Sequence, residues 1–451
     1  MRLQKTRFHF VGVGGIGMCG LAELLHNMGA KVSGSDVGEN ANTLRLKNLG
    51  LSIFKGHNAS QVGDADVVVY SSAIPMTNPE IAEARAKRIP LIPRAEALAE
   101  IMRLKRGLAV AGTHGKTTTT SMTSSILLES QLSPTIVVGG RFDRIQSTAF
   151  LGDGEWLVAE ADESDGSFHK LSPEIAIITN IDSDHLDHFK SFENLEKAFV
   201  DFALKVPFYG VCIVCGDDPR LKELFANHPK RIIFYGFETH NDLVIAGENG
   251  SYQICERHGE SLSPLGQLSL KLPGRHNALN ALAAFAASRA AGVTVEQALR
   301  GLERFDGVDR RFHFKGEKNG VMVYDDYGHH PTEVRAVLQG FRERFPQKRV
   351  VVFFQPHRFS RTQHCWHDFT TCFNLADVIL ISDIYPAGEA PIPGITATRL
   401  VEEMKHSDKH YFVRDASSAQ RIRAMLKKDD VFVTLGAGDG WKLGLEVLAL
   451  L

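Results

Sequence analysis

The chain has 451 residues, of which 43% are hydrophobic and 23% charged, values typical of a soluble globular protein with two or three domains. Its 51 Lys and Arg residues nearly balance its 53 Asp and Glu residues, which argues against a protein that coats nucleic acid. No apolar run reaches the roughly 18 residues that a membrane span needs. Sparse, unpatterned cysteines and an N-terminus typical of a strand and turn, not a signal peptide, predict a cytoplasmic protein.

The first predicted domain, residues 1–104, alternates strands at 8–13, 31–35 and 66–70 with a helix at 18–28, a parallel α/β pattern. Between the first strand and the helix, Gly12 to Gly17 match G-x-G-x-x-G, and Asp36 follows the second strand, where a ribose-binding acid is expected. Taken alone, this motif predicts NAD binding. Physically, however, it predicts only that a diphosphate binds at a helix N-terminus, and a UDP-sugar also has a diphosphate. The alternative interpretation is that these glycines form a turn needed only for close packing of the strand and helix, without a ligand.

The second predicted domain, residues 105–306, opens with a strand at 108–111 and a helix at 116–130, joined by a glycine-rich loop. Gly112 and Gly115 let backbone N–H groups curl around phosphate, Lys116 would reach the β- and γ-phosphates, and the Thr117 hydroxyl would bind Mg²⁺. The strict phosphate loop has glycine where this chain has Val110, so the loop is a variant.

Two clusters of acids and histidines follow the next predicted strands, 156–159 and 175–179. The first cluster spans 158–165 and the second spans 179–188. Ligands of parallel sheets bind beyond the carboxyl ends of the strands, so we expect both clusters beside the phosphate loop in one site. Dense carboxylates favour a shared cation, and a solvated acidic loop is the alternative for either cluster taken alone.

The rest of this domain is predicted as a helix at 192–204, strands at 211–215 and 232–235, hairpins over 242–272, and helices at 277–291 and 295–304. Cys212 and Cys215 form a lone C-x-x-C on an apolar strand, which favours a structural role. His276 and Asn277 fit contacts to a base, and a helix cap is an equal alternative for Asn277. The polar segment 305–311 is the predicted hinge, around which domain closure would exclude water.

The third predicted domain, residues 307–451, resumes the α/β alternation with strands at 321–324, 349–354, 378–382 and 431–434. Segment 323–333 packs acids, tyrosines and histidines after a strand, a density that packing alone does not explain. Arg358 and Arg361 follow the next strand and suit a carboxylate or phosphate. Arg310 is either part of a solvated hinge pair or a phosphate clamp.

Nine segments in this order resemble the Mur ligase family over nearly the whole chain: GVGGIGM, SSAIP, AGTHGKTTTT, EADESDGSF, TNIDSDHLDH, LPGRHNALNAL, FDGVDRRF, YDDYGHHPTE and FQPHRFSRT. The resemblance implies an α/β protein of three domains. These are a Rossmann-like N-terminal domain for a UDP-sugar, a central P-loop-type mononucleotide-binding domain for ATP with a small antiparallel annex, and a C-terminal Rossmann-like domain on the amino-acid side.

The resemblance also implies residue roles. Catalytic residues would be Lys116, Glu160, His185, His329 and Arg358, and metal ligands would be Thr117, Glu160 and His185. ATP contacts would be Gly112, Thr113, His114, Gly115, Lys116, Thr117, Thr118, His276, Asn277, Asn280, Arg310 and Asp325. Contacts to the other substrates would be Gly14, Gly15, Gly17, Ser35, Asp36, Ser71, Glu163, Ser164, Asp165, Tyr327, His329, Arg358 and Arg361.

The implied reaction is amide formation between the lactyl carboxylate of UDP-N-acetylmuramate and L-alanine, through an acyl phosphate made with ATP and Mg²⁺ or Mn²⁺. Several family members carry a carbamylated lysine at the position of Val200. Val200 and its immediate neighbours are not lysine, which agrees with the alanine-adding member. Segment 142–148 departs from the expected turn. No nucleic-acid or membrane partner is implied, and monomer and dimer both remain open. Alternatives are a tripeptide-recycling ligase, an NAD-dependent oxidoreductase and a non-enzymatic NTP switch.

Overall fold

The computed structural model describes residues 2–164, 166–184 and 186–451. The chain forms two compact units. The first consists of Met1–Ala246, Tyr252–Ser269 and Leu279–Asp306, and the second of Gly247–Ser251, Leu270–Ala278 and Gly307–Leu451. Among the described residues, no helix combines the length and apolar character needed to cross a bilayer.

The first sheet of the first unit has five strands in the order β3-β2-β1-β4-β5, all parallel. Its elements are β1 (Arg7–Val11), α1 (Ile16–Asn27), β2 (Lys31–Asp36), α2 (Ala41–Asn48), β3 (Ser52–Lys55), β4 (Val67–Tyr70), α3 (Pro79–Ala86), β5 (Leu91–Pro93) and α4 (Arg94–Met102). The strand order reverses direction between β1 and β4, so the loop after β1 lies at the switch point where ligands of such sheets bind.

The second sheet of the first unit has ten strands in the order β15-β14-β13-β12-β11-β10-β6-β9-β7-β8. Its elements are β6 (Arg106–Ala111), α5 (Lys116–Glu129), β7 (Thr135–Phe142), β8 (Ser147–Phe150), β9 (Trp156–Glu160), β10 (Ile175–Ile178), α6 (Leu186–Phe189), α7 (Phe192–Leu204), β11 (Val211–Cys215), α8 (Pro219–Phe225), β12 (Ile232–Gly236), β13 (Leu243–Glu248), β14 (Ser251–His258), β15 (Ser261–Ser269), α9 (Arg275–Ala290) and α10 (Val295–Glu303). Two-residue turns join the neighbouring strands β13, β14 and β15, so these strands are antiparallel and confirm the predicted annex.

Helix α5 follows the phosphate loop, and it is stabilised more by tertiary packing than by the helix propensity of its residues. Its first half is a run of Thr and Ser, which are weak helix formers, yet every residue from Thr117 to Leu127 is buried. The hydroxyls of Thr123 and Ser124 donate back to carbonyls four residues earlier, at 2.8 and 2.7 Å. These two bonds satisfy the hydroxyls of Thr123 and Ser124, whereas those of Thr120 and Ser121 are buried without a hydrogen-bond partner among the described residues. Packing between β7, β9 and α10 supplies the stability of the helix.

Helix α1 of the first sheet packs against β8 of the second sheet, within the same compact unit. A Cβ added to Gly20 would lie 2.7 Å from Oγ1 of Thr148, so only glycine allows this approach. Beside it, the Arg45 guanidinium bonds to Glu23 at 2.5 Å and donates to the Ser147 hydroxyl at 2.7 Å. The two sheets of the first unit therefore share a tight interface that contains a half-buried ion pair.

The second unit contains a six-stranded sheet in the order β16-β17-β21-β18-β19-β20, in which only the pairing of β16 with β17 is antiparallel. Its elements are β16 (His313–Lys318), β17 (Val321–Asp326), α11 (Pro331–Arg344), β18 (Val350–Phe354), α12 (Phe359–His364), α13 (Trp366–Phe369), β19 (Val378–Ile381), α14 (Ala397–Glu403), β20 (Lys409–Tyr411), α15 (Ser418–Met425), β21 (Val431–Leu435) and α16 (Trp441–Leu450). The α/β fold with Rossmann-like terminal sheets agrees with the prediction.

The predicted C-x-x-C lies on β11, where Cys212 and Cys215 are buried free thiols. Burial raises the pKa of these thiols to about 12 and about 11. A thiol with so high a pKa is a poor nucleophile and a poor metal ligand at neutral pH. The structural role predicted for this pair therefore agrees with its environment.

Candidate active site

The phosphate loop between β6 and α5 is clamped by the segment that follows β10. The Thr113 hydroxyl accepts from the Asp182 amide at 2.9 Å, and the His114 amide donates to the Asn180 side chain at 2.8 Å. The His114 ring bonds to the Asp182 carboxylate at 2.9 Å. The predicted convergence of the loop and the 179–188 cluster is therefore present in the described residues.

Two glycines of the loop are required by their surroundings. Gly112 has φ +128°, and an added Cβ would lie 2.0 Å from Oγ1 of Thr179. Gly115 has φ +83°, and its Cβ would lie 2.6 Å from Oδ1 of Asn280, which also accepts from the Thr119 hydroxyl at 3.1 Å. Asn280, predicted to contact ATP, thus lies directly against the loop.

Lys116 begins α5 and lies inside the loop. Its ammonium donates to the carbonyl oxygens of Gly112 and Thr113 at 2.6 and 3.1 Å, and to Glu163 at 2.8 Å. Burial acts to lower the pKa of Lys116, but Glu163, Asp162 and Glu160 outweigh burial and raise it. The lysine is therefore charged, and a phosphate entering the loop would compete with Glu163 for it.

The acidic cluster after β9 surrounds that lysine. Burial raises the pKa of Glu163 to about 7, against the attraction of Lys116. Burial also acts on Asp162, but Lys116 and Arg94 lower the pKa of that carboxyl. Glu160 accepts from the Gly139 amide at 2.8 Å, and the Ser164 amide donates to Asp162 at 3.1 Å. The predicted residues Asp165 and His185 lie outside the described residues.

The groups near the loop fit a hard divalent cation. The Thr117 hydroxyl is buried at the start of α5, and the partly exposed Glu160 carboxylate ends β9, the strand beside β6. Carboxylate and hydroxyl oxygens, together with phosphate oxygens, are the ligands that Mg²⁺ takes in nucleotide sites. The donor set of the described residues is therefore compatible with the predicted Mg²⁺ or Mn²⁺.

The N-terminal glycine loop is pinned by β2. The amides of Gly12 and Val13 both donate to the Ser35 carbonyl at 2.9 Å, and the Gly14 amide donates to the Asp36 carboxylate at 2.8 Å. The Ser35 hydroxyl is fully buried and donates to Glu80 at 2.7 Å. Direct ligand contacts from Ser35 and Asp36 stay predictions, while their observed role is to shape the loop.

Three further predicted residues surround the same loop. Gly15 is exposed and is the N-cap residue of α1, and Gly17 lies in the first turn of that helix. Ser71 directly follows β4, and its amide donates to the Val11 carbonyl at 3.2 Å. The switch point between β1 and β4 therefore brings these residues together, as the sequence predicts.

Arg94, at the start of α4, was not predicted as a site residue. A Cβ on Gly17 would lie 3.0 Å from Nη1 of Arg94, and Nη2 of Arg94 donates to Asp162 at 3.4 Å. One guanidinium thus touches both the glycine loop and the acidic cluster. The available signal was a basic residue directly after β5, at the same sheet edge as the glycine loop.

In the second unit, Arg310 and Asp325 form a partly buried pair. The Arg310 guanidinium donates to Asp325 at 3.0 Å and to the Gly436 carbonyl at 2.5 Å, and it lies 4.9 Å from the centre of the Tyr327 ring. The second oxygen of Asp325 accepts from the Thr434 hydroxyl at 2.8 Å. Arg310 is therefore not a solvated hinge residue, and the ATP contacts of this pair stay predictions.

His276 and Asn277, the other predicted base contacts, begin α9. Burial and the nearby Arg311 lower the pKa of His276 to about 4, so its ring is neutral at physiological pH. The Asn277 side chain donates to the Pro273 carbonyl at 2.7 Å, which ties the first turn of α9 to the segment before it. A neutral ring suits stacking on a base.

A basic and aromatic group follows β17 and β18. The rings of His329 and His357 lie 5.8 Å apart, and His357 stacks on Tyr385 at 5.5 Å. Burial and the guanidinium groups of Arg361 and Arg358 lower the pKa of His357 to about 4. Among the described residues, no hydrogen bond or ion pair engages the Arg358 guanidinium. The arginine side chains beside these aromatic rings are suited to binding a small carboxylate.

Sequence models of the Mur ligase family match most of the chain. The Mur ligase family catalytic domain matches residues 7–106, the Mur ligase middle domain 110–288, and the glutamate ligase domain 310–438. Each match covers one of the three sheets described above.

Curated relatives and solved structures resemble the chain over its full length. It is 72% identical over 451 residues to UDP-N-acetylmuramate–L-alanine ligase of Bdellovibrio bacteriovorus, covering 99% of each chain. It is 47% identical over 445 residues to the enzyme of that name from Oleidesulfovibrio alaskensis, covering 97% of each. The crystal structure of UDP-N-acetylmuramate–alanine ligase from Thermotoga maritima has a TM-score of 0.82 at 28% identity, covering 98% of each chain. A murein peptide ligase from Psychrobacter arcticus shares the fold, with a TM-score of 0.74 at 22% identity and 98% coverage of each.

Proposed function

Since this chain belongs to the Mur ligase family, we propose that its site joins the lactyl carboxylate of UDP-N-acetylmuramate to L-alanine through an acyl phosphate. The activity is ATP-dependent ligation of L-alanine to the UDP-sugar, a step of peptidoglycan synthesis. The observation that carries the residue assignments is the contact of Lys116 with Glu163, which joins the phosphate loop and the acidic cluster in one pocket.

ATP binds with its phosphates in the loop Gly112–Lys116. The inward-facing backbone amides and the start of α5 attract the phosphate oxygens, and Lys116 leaves Glu163 to neutralise the β- and γ-phosphates. Thr117 and Glu160, with His185, would hold Mg²⁺. When bound, the cation supplies charge neutralisation on the phosphates.

The UDP-sugar binds at the switch point of the first sheet. Its diphosphate lies on the glycine loop Gly14–Gly17 at the start of α1, and Ser71 lies at the adjacent strand end. Arg94 contacts both this loop and Asp162, so its positive charge lies between the diphosphate and the carboxylate to be phosphorylated. The NAD interpretation of the same glycine motif is set aside, because it leaves the phosphate loop unexplained.

The amino-acid side of the reaction falls to the second unit. Arg358 and Arg361 bind the carboxylate of L-alanine by their guanidinium forks, next to the rings of His329 and His357. Tyr327 lies against Arg310 and Arg311 and shapes the same end of the sheet. Arg310 and Asp325 place the adenosine side of ATP.

The chemical steps balance with these residues. A lactyl carboxylate oxygen attacks the γ-phosphorus, the bond to the bridging oxygen breaks, and ADP leaves with the electron pair stabilised by Lys116. The neutral amine of L-alanine then attacks the acyl carbon, the tetrahedral intermediate expels inorganic phosphate, and the amine proton leaves on that phosphate. Holding the reactants in line accounts for most of the rate enhancement, because the protein forms no covalent bond with them.

The direct test is a coupled phosphate-release assay with UDP-N-acetylmuramate, ATP and a panel of amino acids. We expect phosphate release that requires the UDP-sugar and prefers L-alanine over glycine, serine and the recycled tripeptide. Preference for the tripeptide would support the recycling ligase, and release without UDP-sugar or amino acid would support an NTP switch. We place the reaction in the bacterial cytoplasm, where ATP and reduced cysteines coexist.

A further inference from the structure

Glu80, in the first turn of α3, is a fully buried carboxylate that joins three strands of the first sheet. Its Oε2 accepts from the Ser35 hydroxyl at 2.7 Å and bonds to Nε2 of His9 at 2.7 Å. Its Oε1 bonds to Nδ1 of His57 at 2.9 Å. His9 lies on β1, Ser35 on β2, and His57 follows β3, so one side chain links all three.

A buried carboxylate is costly unless hydrogen bonds compensate for lost water. Burial acts to raise the pKa of Glu80, but hydrogen bonds from His9, Ser35 and His57 outweigh it, and the pKa is lowered. The Asn78 side chain accepts from the Glu80 amide at 2.9 Å and fixes the start of α3. So complete a set of partners indicates that the position of this carboxylate is tightly defined.

The network ends at the glycine loop. Ser35, which donates to Glu80, carries the carbonyl that accepts from both Gly12 and Val13. The next residue, Asp36, accepts from Gly14. Moving the Ser35 side chain would therefore move the carbonyl that sets the direction of the first loop amides.

We propose that Glu80 is a positioning residue for the UDP-sugar: through Ser35 it fixes the end of β2, and thereby the glycine loop that receives the diphosphate. The proposal rests on the proposed binding of the UDP-sugar at this loop. Glu80 is fully buried and acts through Ser35, not by contact with the substrate.

Two substitutions of Glu80 separate the effect of its side-chain length from the effect of its negative charge. Glu80→Asp keeps the charge but is one methylene too short to reach both Ser35 and His9. Glu80→Gln keeps the side-chain length but removes the charge. Its amide oxygen takes the place of Oε2, and its amide nitrogen donates to Nδ1 of His57, which accepts when the ring carries its proton on Nε2. The matched control is Val68→Ala, which opens the core beside β1 without removing any contact to the loop.

For Glu80→Asp we expect the KM for UDP-N-acetylmuramate to rise at least tenfold, with kcat and the KM for ATP within twofold of wild type. Glu80→Gln should restore the KM for the UDP-sugar to within threefold. Val68→Ala should lower the melting temperature while leaving this KM unchanged. Titration calorimetry with UDP alone measures binding independently of turnover. The Kd for UDP should be highest for Glu80→Asp and close to the wild-type value for Glu80→Gln and Val68→Ala.

The outcomes distinguish the two levels of inference. A wild-type chain that neither binds nor uses UDP-N-acetylmuramate would overturn the proposed function and this inference with it. An active wild type with an unchanged KM in Glu80→Asp would overturn this inference alone. So would a KM that rises in all three variants in proportion to their loss of melting temperature, since that pattern reflects stability and not positioning.

Discussion

Replacing Gly112 by alanine tests whether the geometry of the phosphate loop governs ATP use. Gly112 has φ +128°, where a side chain costs about 1–2 kcal/mol. The new Cβ would also lie 2.0 Å from Oγ1 of Thr179 and 3.0 Å from its amide nitrogen. Relieving that overlap shifts the segment that clamps Thr113 and His114, at a further cost of about 1–3 kcal/mol. We expect total destabilisation of about 2–5 kcal/mol and a KM for ATP at least tenfold higher.

Gly292 supplies the matched control. It has φ +94°, yet an added Cβ would have nothing within 4 Å. Gly292→Ala should therefore cost only about 1–2 kcal/mol of backbone strain and leave the KM for ATP unchanged. Urea unfolding gives the stabilities, and the coupled phosphate-release assay gives the KM values. If Gly112→Ala kept the wild-type KM for ATP, or if both variants raised it equally, the steric argument would fail.

Three further substitutions test single contacts. Lys116→Ala should abolish phosphate release while UDP-sugar binding by calorimetry persists, because the two ligands use different sheets; residual turnover above about 1% would refute the lysine assignment. Arg361→Ala should raise the KM for L-alanine by about tenfold or more and the KM for ATP much less, and equal changes would count against the alanine pocket. The folded-state pKa of Glu163 is raised, so its favourable contribution is complete below the unfolded value near 4.5 and is lost as pH rises through about 7. Glu163→Gln should therefore gain stability relative to wild type between pH 5 and 8, on the order of 1–3 kcal/mol in urea unfolding, whereas parallel pH profiles would contradict the shift.

Sequence patterns predicted the architecture because most strands of the three sheets are short apolar runs followed by functional loops. One rule was enough to place the phosphate loop beside the acidic segments: the carboxyl ends of parallel strands lie at the same edge of a sheet. The strand 108–111, with the GKTT helix start after it, and the strands β9 and β10 follow this rule. The contact between Lys116 and Glu163 follows directly from that rule. Strand limits differ by one or two residues, as at β1, predicted as 8–13 and observed as Arg7–Val11.

Long-range side-chain contacts were beyond sequence reasoning. Arg94 and Glu80 stand in ordinary helical sequence, and only the fold brings Arg94 to Asp162 and Glu80 to Ser35. Strand β3, with three of its four residues exposed, lacks the apolar run that marks its neighbours and was not predicted. The family resemblance implies that Ser35 contacts the UDP-sugar, but its hydroxyl donates to the buried Glu80, since successive side chains of a strand point to opposite faces.

The interface between α1 and β8 has a practical consequence for dissecting the protein. A recombinant fragment that stops at residue 104 would expose the close-packed surface around Gly20 to water and deprive Arg45 of its Ser147 partner. Such a fragment should aggregate or melt early, which makes it a poor scaffold for ligand screening. A fragment designed to report on the UDP-sugar site alone should instead keep the hairpin of β7 and β8 and the sheet that supports it.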